Sequence, residues 1–97
     1  MDALQWSAID GLIAERDPYC RGVVLLGLNA PVETLARGFA DARQSATCRG
    51  FAVGRTLFQQ PATQWLAGAI DDDALIAAIR GNFETLIDAW RASRESR

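Results

Sequence analysis

The chain has 97 residues, 49% of them hydrophobic and 23% charged, with a formal net charge of −2. That balance describes a small folded unit rather than a disordered tail, and no apolar run approaches the ~20 residues a membrane-spanning helix needs. All 10 basic residues are arginines and there is no histidine, so the chain itself offers no lysine for a Schiff base and no imidazole for acid–base or zinc chemistry.

Arginines scattered through a mildly acidic chain also argue against a nucleic-acid footprint. The opening Met1-Asp2-Ala3-Leu4-Gln5-Trp6 carries an acid and no basic cluster, so it does not read as a signal peptide. A cytoplasmic location is the default expectation.

Residues 2–16 predict a helix. Asp2 is placed to cap it, and Leu4, Ala8, Ile9, Leu12 and Ile13 fall on one side, with Trp6 beside them as a packing residue. Asp17-Pro18 ends it, because a proline disfavours helical backbone in the residue before it. Residues 22–28 form an apolar run without alternation, which fits a strand buried on both faces within a parallel sheet. A buried helical segment is the competing reading, disfavoured by the short length and the flanking glycines. Asn29-Ala30-Pro31 opens a second helix over 30–43, with Asn29 as cap, Pro31 in the first turn and Glu33 facing the dipole. Its inward stripe is Leu35, Phe39 and Ala42.

A second strand is expected over 49–53. It ends in Gly54, followed by Arg55 and Thr56 and then a short helix over 59–67. Strand, glycine and helix start in succession suit an anion. The glycine admits close backbone approach, the helix end offers unpaired N–H groups, and the guanidinium can grip two oxygens. The competing reading pairs Arg55 with a surface carboxylate. The last helix, over 72–92, has Asp71 as cap with Asp72 and Asp73 at the positive end of the dipole, so capping accounts for the acidic triplet without a metal. Leu75, Ile79, Phe83, Leu86 and Trp90 face inward, flanked by Ile76 and Ile87, and the polar residues 91–97 are expected to fray.

Cys20-Arg21-Gly22 recurs as Cys48-Arg49-Gly50, one strand-plus-helix unit later. With parallel neighbouring strands ~4.8 Å apart, Cys20 and Cys48 would lie side by side, where a disulfide is geometrically possible although cytosolic thiols stay reduced.

These stretches resemble one family. Arg16-Asp17-Pro18-Tyr19-Cys20-Arg21-Gly22-Val23-Val24-Leu25-Leu26-Gly27-Leu28 is similar to its penultimate strand region, and Gly50-Phe51-Ala52-Val53-Gly54-Arg55-Thr56 to its last strand. Trp65-Leu66-Ala67-Gly68, Ile70-Asp71-Asp72 and Leu86-Ile87-Asp88-Ala89-Trp90 look like its closing helices. The family is the class I aldolase-like domain often fused behind the sugar kinase of bacterial inositol breakdown (5-dehydro-2-deoxygluconokinase), and the resemblance covers nearly the whole chain. It implies an α/β fold comprising the last two parallel strands of a partial (β/α)8 (TIM) barrel with flanking helices, one unit over 1–97.

For the whole barrel it implies cleavage of 5-dehydro-2-deoxygluconate 6-phosphate into dihydroxyacetone phosphate and malonate semialdehyde, through a lysine on an earlier strand. On that reading the chain is the last third or so of the barrel. It lacks the lysine, holds no catalytic residue or cofactor, and contributes phosphate-binding loops: Gly27 and Asn29 after the first strand, Gly54, Arg55 and Thr56 after the second. The implied ligand is a sugar phosphate or inorganic phosphate. The expected partners are further copies of the chain or the missing barrel portion, because two strands leave open sheet edges; neither nucleic acid nor membrane is expected. The alternative is a non-catalytic interaction or oligomerisation module.

Overall fold

In the computed structural model, which describes residues 2–95, the elements run α1 (Ala3–Arg16), β1 (Val23–Leu26), α2 (Val32–Asp41), β2 (Cys48–Ala52), α3 (Arg55–Leu66) and α4 (Asp72–Glu95). Residues 91–95, expected to fray, continue α4; 96–97 lie outside the described residues. None of these helices is long and apolar enough to cross a membrane.

β1 and β2 pair in parallel as a two-stranded sheet. Val23 stands opposite Cys48, an irregularity follows, and Val24, Leu25 and Leu26 then face Gly50, Phe51 and Ala52. The two Cys-Arg-Gly triplets are therefore out of register: Cys48 begins β2, whereas Cys20 precedes β1 by three positions. This corrects the side-by-side expectation. Both thiols are free, each directed at the carbonyl two residues on, Cys20 Sγ at 3.7 Å from Gly22 O and Cys48 Sγ at 3.9 Å from Gly50 O.

One face of the sheet is covered. The helical spacing of Leu35 and Phe39 on α2 and of Ala42 at its C-cap buries all three, and Leu86 of α4 is fully buried against the first two. Phe51 is the centre of an aromatic group, its ring 4.9 Å from Phe39, 5.9 Å from Trp90 and 6.4 Å edge-on from Phe83, and Phe39 in turn meets Trp90 edge-on at 5.4 Å. Leu25 and Trp90 also pack on a second cluster, Trp6, Ala42 and Cys48, so they join the two. Burial of each large side chain stabilises by about 1.5–3 kcal/mol, and truncating Phe39 to alanine would cost about 3–5 kcal/mol.

The opposite face is bare: Val24 is 52% and Leu26 56% exposed. Here the expectation of a strand buried on both sides fails, because the helices that touch the sheet lie on one side of it. The expected partial (β/α)8 barrel is corrected at the same point. Each barrel strand is flanked by two others, whereas β1 and β2 have only each other among the described residues. The described residues form a small α/β unit of four helices and a two-stranded parallel sheet.

α1 also differs from its predicted stripe. Leu4 and Leu12 are exposed, and the inward face is Trp6, Ile9 and Asp10. The Asp10 carboxylate accepts from Ser45 Oγ at 2.7 Å, from Ala46 N at 3.1 Å and from Thr47 Oγ1, tying α1 to the loop before β2. That tether, remote in sequence, decides which side of α1 turns inward. At its start Asp2 and Gln5 cap reciprocally, with bonds of 2.9 and 2.8 Å.

α3 begins at Arg55, four residues before the expected 59, so Pro61 sits in its interior instead of its first turn. Proline has no N–H for the carbonyl four residues back, and that carbonyl, on Leu57, accepts instead from Asn82 Nδ2 of α4 at 2.8 Å. α3 closes on Gly68 at φ +77, with Gly68 N bonded to Trp65 O and Ala69 N to Gln64 O, a left-handed helix cap that glycine adopts most readily. Asp71 then caps α4 by accepting from Ala74 N at 2.8 Å.

Candidate functional site

At the carboxyl end of β1 the chain must reverse into α2. Ala30 N bonds to Gly27 O at 2.9 Å, and both residues between them are left-handed, Leu28 at φ 48 and Asn29 at φ 67. Those are the signs of a type I′ turn. Asparagine tolerates this backbone, whereas leucine adopts it at a cost of about 1–2 kcal/mol. Asn29 is thus spent on the turn and does not cap α2. Pro31 stands at the N-cap position and gives no side-chain bond.

The carboxyl end of β2 delivers α3 to the same place. Gly54 is its N-cap residue, again without a side-chain bond. Thr56 Oγ1 donates to Ala30 O at 2.8 Å and ties the start of α3 to the turn before α2. Two helix N-termini without side-chain caps therefore converge, while α1 and α4 are capped by Asp2 and Asp71. Their first-turn N–H groups and dipoles favour negative charge.

Between them lies an open cleft of about 510 Å³. Asn29, Ala30, Pro31, Val32 and Glu33 form one wall, Arg55, Thr56, Gln59, Gln60 and Thr63 the other, and Asn82 reaches in from α4. Arg55 is exposed and has no ion-pair partner among the described residues, where the ion pairs are Arg16–Glu15 and Arg80–Glu84. The alternative in which a surface carboxylate occupies Arg55 is not what the structure shows. Glu33, the acid of the cleft, complements the dipole of α2 and can accept a ligand hydroxyl.

Of the five residues predicted from sequence, Asn29, Arg55 and Thr56 line this cleft, whereas Gly27 and Gly54 do not, Gly27 lining a separate apolar groove beside β1. Gly27 N donates to Ala52 O at 3.1 Å, and its α-carbon faces Val53 so closely that an added Cβ would lie 2.7 Å from Val53 Cγ1. Its N–H is committed to the sheet. Gly54 has an ordinary negative φ of −140, and a Cβ there would meet the Phe58 ring at 3.3 Å. Thr56 holds the turn with its hydroxyl proton, which leaves its backbone for a ligand. Glu33, Gln59, Gln60, Thr63 and Asn82 were missed. The last four depend on where α3 begins and on which face it turns to α4. The one available signal was Pro61, whose missing N–H demands an outside donor.

The chain belongs to the family described as "Uncharacterized protein conserved in bacteria (DUF2090)", whose model matches residues 1–94. This match corrects the resemblance to the class I aldolase-like domain, which is not the family found. A comparison with curated proteins and one with solved structures each gave no match.

Proposed function

We propose that the chain binds a small phosphorylated polyol in the cleft between the Gly27–Ala30 turn and the first two turns of α3. The observation that carries this is the convergence of two helix starts without side-chain caps on an unpaired arginine. The phosphate would take the N–H groups at the helix starts and the Arg55 guanidinium, whose fork matches two oxygens at once. The amides of Asn29, Gln59, Gln60 and Asn82, the Thr63 hydroxyl and the Glu33 carboxylate suit a hydroxylated remainder better than an apolar one. Comparing glycerol 3-phosphate with glycerol at matched millimolar concentration tests the reading: the phosphorylated compound should raise the unfolding temperature by an amount that grows with the logarithm of its concentration, and glycerol should not. Equal responses would refute it.

A second reading, a non-catalytic module that associates with copies of itself, is favoured by a separate observation. Val24, Leu26 and Leu28, 52%, 56% and 74% exposed, line an apolar groove of about 530 Å³ with Trp6 and Leu35. Among the described residues no charged side chain lines that groove and the adjoining edge of β1 is open to pairing.

A further inference from the structure

A different recess lies at the opposite, amino-terminal end of the strands. It measures about 480 Å³ and is lined by Ser45, Ala46, Cys48, Arg49, Trp90 and Arg94, two guanidinium groups with no acid among the described residues. Arg94, in the last turn of α4, lies over the Trp90 indole with its guanidinium carbon 4.1 Å from the ring centroid. Its Nη2 donates to Cys48 O at 2.7 Å and Nη1 to Ser45 O at 3.5 Å. Those bonds occupy two of the five N–H groups of a guanidinium. Among the described residues the buried Nε has no partner and Arg94 has no ion pair.

Stacking on an indole and bonding to neutral carbonyls hold this cation in place, and no acid among the described residues neutralises it. Asp10, the acid bonded to the Ser45–Thr47 loop, spends both its oxygens on Ser45, Ala46 and Thr47. Arg49 is exposed at the lip, and its aliphatic stem crosses Gly22 so closely that a Cβ there would fall 2.3 Å from Arg49 Cγ. Gly22, at φ +145, thus leaves the space the Arg49 stem takes.

We propose that this recess is a second anion site, independent of the cleft at Arg55, and that it takes a small oxyanion, a carboxylate or phosphate group, between Arg49 and Arg94. A partly buried cation without a counter-charge gains from such a ligand more than a solvated surface arginine does. Arg94 supplies a rigid, stacked half of the site and Arg49 the half that closes from solvent.

The test uses the full chain carrying Arg55→Ala, so that binding at the other cleft is weakened. Malonate and inorganic phosphate are titrated at constant ionic strength against chloride, and the Trp90 indole N–H and Arg94 Nε–H resonances are followed by NMR. Saturable shifts with malonate, phosphate or both are expected, the relative affinities distinguishing the two sources. Adding Arg49→Ala should weaken the affinity about tenfold or more. Shifts no larger than those given by chloride, or an affinity unchanged by Arg49→Ala, would overturn the proposal. Should Arg49→Ala fail to fold, Arg49→Lys carries the same comparison, because it keeps the charge and loses the fork.

Discussion

Asn82 Nδ2 donates to the carbonyl oxygen of Leu57 at 2.8 Å, the oxygen that Pro61 leaves without its helical partner. A proline buried inside α3 and an asparagine on α4 are thereby one unit. Asn82→Ala should cost about 1–3 kcal/mol by leaving that carbonyl unsatisfied. In a Pro61→Ala background the helix supplies its own N–H, so the cost of Asn82→Ala should shrink markedly. Urea unfolding of the four proteins measures the coupling; equal costs in the two backgrounds would contradict it.

Two glycines should respond in opposite directions. Gly27→Ala drives a Cβ to 2.7 Å from Val53 Cγ1 at the end of β1, and should destabilise by about 1–3 kcal/mol. Gly81→Ala, inside α4 with open space around it, should stabilise by about 0.5–1 kcal/mol. Thermal unfolding decides both.

How far the fold could be read from sequence follows from where each signal is local. Leu35, Phe39 and Ala42 kept their helical period because one face of α2 is buried along its length, and Asp2 and Asp71 acted as caps because a cap needs only its own first turn. The apolar run at β1 did announce a strand. Hydrophobicity states what a side chain favours and not what covers it, so the exposure of Val24 and Leu26 was not readable. Pro61 suggested a helix start because proline favours first turns; its interior place is sustained by Asn82, twenty-one positions away. Arg55 stood out beside Gly54, whereas Gln59, Gln60 and Thr63 became visible as cleft residues only once α3 was known to begin at Arg55.

The Asp10 clamp predicts an acid limb of stability. Burial acts to raise its pKa, but the bonds from Thr47, Ser45 and Ala46 together outweigh it, and the net shift is downward. A depressed folded-state pKa contributes stability that is fully present above the unfolded aspartate value of about 3.9, and is lost as pH falls through the lower folded value. Unfolding free energy should therefore decline below roughly pH 4, and Asp10→Asn should flatten that decline. An unchanged acid limb in Asp10→Asn would refute the assignment.

The bare sheet face carries its own expectation. Sedimentation equilibrium should show concentration-dependent association, and Leu26→Lys, which places a charge at the centre of the Val24, Leu26 and Leu28 patch, should shift the protein to monomer by at least about 1 kcal/mol. A wild-type chain that stays a monomer at high concentration would contradict this reading.

The cleft is tested most directly by the amide resonances of Asn29 and Thr56 during titration with inorganic phosphate, in the wild type and in Arg55→Ala. Both should move saturably in the wild type, with an affinity that Arg55→Ala weakens by about 1.5–3 kcal/mol, the value of a charge-assisted contact. Resonances that do not move, or that move with the same affinity when Arg55 is gone, would contradict phosphate binding at this site.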